Sequence, residues 1–319
     1  MTIVLINPHN KSILKKYGDF LIDEQGNSFP IFEGVPRIIT GENYTLSFGV
    51  QWNLFYDTQL DFPSIELSKS RFFAESNWNP ANLAGLNVLE VGSGAGRFSR
   101  ILLTETKCIL WSIDYSSAVS ANFRNNNYIA PERFNLFQAN LYELPFPDNS
   151  FDKVFCFGVL QHTPNFEKSI KVLIDKAKYG SEIVVDFYPI KGWWTKIHSK
   201  YFLRPITKKL SHSTLLRSIS FNINWLIILF DTLVFLRLGL LTRFLPITDL
   251  RGFPSGLNRL QRRQWAVLDT FDGFSPEYDN PQKIEDVKIM FEKYGAVVTF
   301  AGYAKFDGGY AAVVRAIKT

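Results

Sequence analysis

Apolar positions along this chain follow two rhythms, and the change from one to the other marks its elements. Consecutive apolar runs between polar turns read as buried strands, and apolar positions three and four apart read as helices. Val88, Leu89 and Val91 form such a run, Gly92, Gly94 and Gly96 follow it, and Phe98, Ile101 and Leu102 return at helical spacing. The pattern predicts a buried parallel strand, a tight glycine turn and a helix. It continues with CILWSID from Cys108 to Asp114 as a second strand. Two more lie between Phe134 and Pro164, then come the helix FEKSIKVLIDKAK and the buried strand SEIVVDFY. After a long insertion, KIEDVKIMFEKYG reads as a helix. AVVTFAGYAKF and YAAVVRAIK read as two closing strands joined through Asp307, Gly308 and Gly309. Strands alternating with helices predict an α/β fold around a mostly parallel sheet.

The glycine turn carries the first chemical signal. Glycines let the backbone turn tightly and approach a ligand without Cβ obstruction, at the N-terminus of a helix. A dinucleotide fold requires GxGxxG, with the third glycine for close helix packing. Here the third glycine comes one residue early, at Gly96, and Arg97 stands where that fold reserves a glycine. Glu90, two residues before Gly92, is placed to meet an amino group better than a phosphate. Asp114 ends the neighbouring strand, where a carboxylate can accept hydrogen bonds from both hydroxyls of a ribose.

The E-x-G-x-G-x-G run from Glu90 to Gly96 resembles the first motif of class I S-adenosylmethionine-dependent methyltransferases. Downstream, QAN, LPF, SFD and GVLQHTP between Phe134 and Pro164 are similar to the UbiE-like branch of that family, whose pattern is roughly QAD, LPF, SFD and G-V-L-H-H-T-P. The resemblance implies a Rossmann-like seven-stranded fold with a closing antiparallel hairpin, and S-adenosyl-L-methionine as cofactor. It implies that the glycine loop, with Glu90, passes the methionine part, that Asp114 and Tyr115 hold the ribose end, and that Asn140 and Leu141 meet the adenine edge. Phe157 and Gly158, with the residues on to Leu160, would line the methionine side. Two positions depart from the family. Asn140 replaces the usual Asp, although its amide oxygen still accepts a hydrogen bond. Gln161 replaces a frequent histidine and leaves His162 as the single histidine of its loop.

Residues 1–42 end in GNSFPIFEGVPRII and resemble the small zinc-ribbon-like module of the Trm112-like family. Asn7, Asn10, Ile22 and Gln25 stand at its four cysteine positions, and these side chains cannot supply the thiolates of a structural zinc site. No metal is expected, and a packing or partner-docking module is. Residues 43–84 are a helical connector, with Phe48, Gln51, Trp52 and Phe55 on or near one face; covering the cofactor and merely packing on the sheet both remain open for it. Residues 85–190 form the core, 191–263 a helical lid insertion, and 264–319 the C-terminal part of the core.

Composition fits a soluble enzyme with appended regions. The chain has 319 residues, and its two cysteines fall in predicted core strands, so neither a disulfide scaffold nor a metal cluster is supported. MTIVLINPHNK is no signal segment, and a cytoplasmic location is expected. The net charge is +5, and the insertion accounts for it: nine lysines and arginines lie between Lys191 and Thr248 against one acid, Asp231. Its second half is strongly apolar. A spanning helix requires about 20 apolar residues and an ionised side chain near its centre costs about 2.5 to 3.5 kcal/mol, so Asn222, Asn224, Asp231 and Arg237 argue against a span. Two readings stay open: a lid packed on the core, or, over 196–248, a peripheral contact with anionic headgroups at the inner membrane face.

Methyl transfer from a sulfonium asks mainly for alignment of the acceptor, in-line displacement and exclusion of water. A hydroxyl acceptor also needs a base, and His162 is the first candidate. Capping the turn at Thr163 and Pro164 is the alternative role for it. Tyr188, Asp186 and the D-T-F-D-G-F-S-P-E-Y segment from Asp269 to Tyr278 stand behind His162 as second-tier candidates; Tyr188, Asp272, Ser275 and Tyr278 are candidate acceptor contacts, and Ser275 with Pro276 could equally shape a helix entry. A small-molecule, sugar or lipid-linked acceptor methylated at oxygen is expected first. An RNA methyltransferase and a non-catalytic cofactor-binding module are the alternatives; DNA is not expected.

Overall fold

The computed structural model describes residues 3–41, 43–62 and 65–319. Met1 and Thr2 of the N-terminal run, Glu42 at the first expected boundary, and Pro63 and Ser64 of the connector lie outside the described residues. Four short strands come first: β1 (Lys15–Tyr17), β2 (Phe20–Ile22), β3 (Ser28–Phe32) and β4 (Val35–Ile38). Seven follow: β5 (Asn87–Val91), β6 (Ile109–Asp114), β7 (Phe134–Ala139), β8 (Phe151–Cys156), β9 (Ala177–Phe187), β10 (Ala296–Phe306) and β11 (Gly309–Lys318). They join in one sheet of order β1-β2-β3-β4-β7-β6-β5-β8-β9-β11-β10. β5 to β9 are parallel to their neighbours, whereas β11 runs antiparallel between β9 and β10.

Nine α-helices are described: α1 (Leu46–Leu54), α2 (Leu67–Ser76), α3 (Arg97–Glu105), α4 (Val119–Asn126), α5 (Phe166–Lys176), α6 (Ser199–Thr207), α7 (His212–Phe235), α8 (Arg259–Phe274) and α9 (Ile284–Lys293). Every residue of β5 is buried, as a parallel strand covered on both faces must be. Leu89 and Val91 pack with α5 and α9 on one face, while Val88 joins Leu102 of α3 and Phe72 of α2 on the other. Phe72 is fully buried and centres an aromatic cluster with Trp78, Phe98, Phe155 and Phe157. The connector is therefore anchored in the core through α2. Phe55, just past the end of α1, joins the hydrophobic cluster of α7 and α8.

The N-terminal strands extend the central sheet, since β4 pairs parallel with β7. Where a zinc ribbon would bring four thiolates together, a single carboxylate gathers amides. Asp23 Oδ2 accepts from Asn7 Nδ2 at 2.7 Å, Asn10 Nδ2 at 2.8 Å and Asn27 Nδ2 at 2.9 Å, and Oδ1 accepts from the backbone of Gln25 and Asn27. Burial raises the Asp23 pKa, but the amide donors of Asn27, Asn10 and Asn7 outweigh it and hold the carboxyl well below its usual range.

In the insertion, α6 and α7 both pack on α8. The expected boundary at 263/264 falls inside α8, a continuous 16-residue helix. Ala266, Val267, Phe271 and Phe274 of α8 bury against Leu215, Ile219, Ile223, Leu226 and Phe230 of α7. The segment 264–274 thus belongs with the lid, because α8 supplies the surface on which α7 packs. α7 also runs unbroken through Asn222, Asn224 and Asp231. Asn222 Nδ2 bonds back to the Ser218 carbonyl, and Asp231 pairs with Arg262 at 2.7 Å. Among the described residues α7 is the one helix long and apolar enough to cross a membrane by length and composition.

Replacing Asp23 with Asn swaps the shared acceptor for a group that carries donors of its own, so the melting temperature is expected to fall. Because the folded-state pKa is depressed, the carboxylate's contribution is present above the unfolded value near 4 and is lost as pH falls below it. Circular dichroism melts should show a constant gap between wild type and Asp23→Asn from pH 5 to 8 that closes in acid.

Candidate active site

Strand order reverses at β5, which has β6 on one side and β8 on the other. The loops after β5 and β8 therefore leave the sheet next to each other and border a crevice at its carboxyl edge. A cavity of about 720 Å³ lies there, lined by Gly92 to Ala95, Asp114, Tyr115, Leu141, Phe157 to Val159 and His162. Gln51 and Trp52 of α1 close one side. His198, Lys200 and Tyr201 at the start of α6 and Leu268, Asp269, Thr270, Asp272, Gly273 and Phe274 of α8 also line it, so these two segments roof the cavity whereas α7 does not reach it.

Two of the three glycines serve the cavity. Gly92 has φ +82°, and a Cβ there would stand 2.2 Å from Val159 Cγ2; a Cβ on Gly94 would stand 3.1 Å from Trp52 Nε1. Gly96 does not line the cavity. Its missing Cβ would meet Asn122 Oδ1 at 2.1 Å, so this glycine lets α3 pack against α4.

Glu90 corrects a second expectation. Its side chain turns away from the cavity into the junction of β5, β6 and α3, where Oε2 accepts from Ser99 Oγ at 2.5 Å and Ser112 Oγ at 2.8 Å. Only 1% of it is exposed. Burial raises its pKa to about 7 against the lowering by the two hydroxyls. Asn140 likewise does not line the cavity, because its side-chain oxygen caps the following turn by accepting from Tyr142 N at 3.1 Å. Leu160 is buried in the core.

Asp114 faces the cavity. Oδ2 accepts from Gly94 N at 2.8 Å, and Oδ1 from Ser116 N at 2.8 Å and Oγ at 2.7 Å. Those donors hold the carboxylate still, and Oδ2, with a single donor, keeps a lone pair for a hydroxyl. Ile113, Tyr115, Ala139 and Leu141 line the space beside it. An acceptor-only group next to an apolar slot and a glycine-backed channel fits a nucleoside with an extended polar tail.

His162 is almost wholly buried and also lines the cavity. Its Nδ1 lies 3.0 Å from the carbonyl of Tyr278. A carbonyl only accepts, so Nδ1 carries the proton and the neutral ring keeps a lone pair on Nε2. Nε2 is buried without a hydrogen-bond partner. Burial pushes the imidazole pKa down, countered in part by Asp272. Phe48 and Tyr188 pack against the ring at 5.1 and 5.5 Å between centroids. Tyr188 and Asp272 line the cavity and are joined by a Tyr188 Oη to Asp272 Oδ2 hydrogen bond of 3.3 Å. Ser275 and Tyr278 do not line it. Ser275 sits buried at the C-terminal end of α8, and Tyr278 acts from behind through its carbonyl on His162.

Of the charged wall opposite, sequence reasoning reached only Asp186 and the segment that begins at Asp269. Arg71 of α2 pairs with Glu75 at 2.6 Å and with Asp186, which also accepts from Gly158 N. Arg97 donates to Ser68 Oγ and Gln59 Oε1, both at 3.0 Å, and burial and Arg71 lower its pKa to about 10. Gln59 donates to Asp269, whose pKa burial and Asp272 raise to about 7. These residues come from α2, the α1–α2 loop, α3, β9 and α8. For the others the one local signal was Arg97 itself, standing where a dinucleotide fold has glycine.

Residues 89–185 match the family model described as a methyltransferase domain. Two curated relatives share 28% identity: the tRNA U34 carboxymethyltransferase of Nautilia profundicola over 111 residues, 35% of this chain and 37% of that protein, and the ubiquinone/menaquinone biosynthesis C-methyltransferase UbiE of Vibrio campbellii over 132 residues, 39% and 50%. The chain thus spans half or less of the length of these relatives. Among solved structures, the magnesium protoporphyrin IX methyltransferase of Synechocystis with bound SAH aligns at 18% identity over 86% of this chain and 97% of that one, with a TM-score of 0.46. Likeness at that level adds nothing to the fold already described.

Replacing Glu90 with Gln tests the reading of that side chain as a buried packing element. A folded-state pKa raised to about 7 means that ionising Glu90 opposes folding increasingly as pH rises past its unfolded value near 4.3. The Gln variant is therefore expected to be the more stable above pH 7, on the order of 3 kcal/mol at most, with the advantage shrinking toward pH 4. Chemical denaturation across that range measures it.

Proposed function

We propose, with the methyltransferase domain of residues 89–185 as the premise, that this protein transfers a methyl group to a hydroxyl oxygen of a small-molecule acceptor. S-adenosyl-L-methionine is the cofactor, and when bound it supplies an activated sulfonium methyl. The chain's own residues fit it. Asp114 would accept from the ribose hydroxyls, the space between Tyr115 and Leu141 would take the base, and the Gly92 to Ala95 backbone with Phe157 and Gly158 would pass the amino-acid tail.

The observation that carries the reading is the buried, unpartnered Nε2 of His162. With Nδ1 held on the Tyr278 carbonyl, Nε2 is the ring atom left to receive a proton, which is what an acceptor hydroxyl gives up as its oxygen is alkylated. Because burial lowers the pKa of this imidazole, it is neutral and competent at physiological pH. Tyr188 and Asp272 stand beside it and would orient the acceptor. Segments of α6 and α8 cover the cavity, which favours exclusion of water.

A second acceptor class, RNA, is favoured by the relatives named tRNA U34 carboxymethyltransferase and by the basic insertion. Labelled methyl incorporation in cell extract, with products separated into RNA, lipid, carbohydrate and small-metabolite fractions, distinguishes the two. Failure of S-adenosyl-L-methionine to bind in calorimetric titration would remove both.

His162→Ala is expected to lower kcat by about a hundredfold to ten-thousandfold while calorimetric affinity for S-adenosyl-L-methionine stays near wild type. Asp114→Ala should do the reverse in order, losing cofactor affinity first. In wild type the rate should rise with pH along a limb below about 6.5, the ordinary imidazole value, and level off above it; unaltered turnover in the His162 variant rejects the base.

A further inference from the structure

α7 carries two apolar stripes on opposite sides. Leu215, Ile219, Ile223, Leu226 and Phe230 are buried against α8. Phe221, Trp225, Ile228 and Phe235, spaced four, three and seven residues apart, point the other way and are 86%, 50%, 63% and 86% exposed. A helix lying on a globular protein keeps polar residues on that side. The exposure does not end with the helix: Leu236, Leu240, Leu241 and Phe244 follow it, and Phe202 and Ile206 stand out from α6. Isolated apolar side chains on a surface are ordinary, but a whole helical stripe of large ones marks an interaction site.

The surrounding charge selects the partner. Lys196, Lys209, Arg217, Arg237 and Arg259 are exposed in the same region. The two acids between Lys191 and Leu268 are both neutralised, Asp231 by Arg262 at 2.7 Å and Asp249 by Arg251 at 2.5 Å. A second copy of the chain would bring the same positive charges against themselves, and an RNA, though its bases can stack on aromatic rings, would leave Ile228, Leu236, Leu240 and Leu241 without a partner. An apolar interior beneath a negatively charged surface satisfies both features. The orientation follows from α8. With one side of α7 fixed on it and Asp231 held by Arg262, lipid can reach α7 from one side only, as for a helix lying in the interface.

We propose that the insertion docks this protein peripherally on an anionic lipid bilayer, with α7 lying in the plane of the headgroups and its Phe221–Phe235 stripe entering the acyl boundary. The proposal stands independently of the methyl-transfer reading. It places the bilayer next to the cavity roof, since α6 lines the cavity with Lys200 and Tyr201 and exposes Phe202 and Ile206 on its other side.

Co-sedimentation of the full chain with vesicles tests it. Binding is expected to phosphatidylcholine–phosphatidylglycerol vesicles at low salt, with release at high salt and little binding to phosphatidylcholine alone. The triple variant Phe221→Ser, Trp225→Ser, Phe235→Ser should partition about tenfold more weakly or worse, with an unchanged circular dichroism melt because these side chains are exposed. A second variant, Lys209→Gln with Arg217→Gln and Arg237→Gln, keeps the apolar stripe and should lose the preference for phosphatidylglycerol. Wild-type protein left in the supernatant with both vesicles overturns the proposal. So does equal recovery of the wild type and the triple variant with phosphatidylglycerol vesicles, or light scattering that shows a wild-type dimer made monomeric by the triple variant.

Discussion

Everything at the site depends on the reversal of strand order at β5. With β6 to one side and β8 to the other, the chain leaves the sheet edge in two directions, and a crevice opens that neither crossover helix can fill. The glycines then allow two loops to meet across it. Gly92 gives up its side chain to Val159 of the β8 loop, so backbone rather than side chain forms the floor. A residue with a Cβ at that position would push the two loops apart, and the cavity would lose the wall shared by Gly94, Asp114 and His162.

Electrostatics hold that arrangement in register. Arg71 faces two buried carboxylates, Glu75 and Asp186, and cannot fully neutralise both. Burial raises the Glu75 pKa against the lowering by Arg71, and the one guanidinium bridges both carboxylates. Asp186 in turn receives the Gly158 amide. A charge on α2 thus sets the position of the loop that leads to His162, and the connector helix belongs to the site as much as the sheet does. The same economy appears among the N-terminal strands, where Asp23 gathers three amide side chains and ties together the turns that carry them.

The lid divides its labour by face. α8 presents cavity residues on one side and a packing surface for α7 on the other. α6 places Lys200 and Tyr201 over the cavity while Phe202 and Ile206 remain in solvent. Basic and apolar character, mixed along the sequence, separates only when the helices wrap. That separation gives these helices an inner surface that lines the cavity and an outer one that leaves large apolar side chains exposed.

Local signals were legible in the chain by itself. The strand–glycine–helix junction, Asp114 at a strand end and the closing hairpin follow from periodicity and from the conformations open to glycine, which neighbours in sequence determine, whereas the candidacy of His162 comes from the resemblance of its loop to a known motif. What only the tertiary structure decided is direction and partnership. All of β5 is buried, so alternation could not say whether Glu90 faced ligand or helix; Ser99 and Ser112, brought in by α3 and β6, drew it inward. Asn140 could offer its amide oxygen to a ligand or to the next turn, and the free amide of Tyr142 took it. Gly96 read as part of a ligand loop until α4 arrived with Asn122. The tautomer of His162 waited on a carbonyl 116 residues away, and the second stripe of α7 became a surface only because α8 covered the first. Side chains with two equally good local uses are assigned by whichever distant group reaches them, and no pattern confined to neighbouring residues contains that contact.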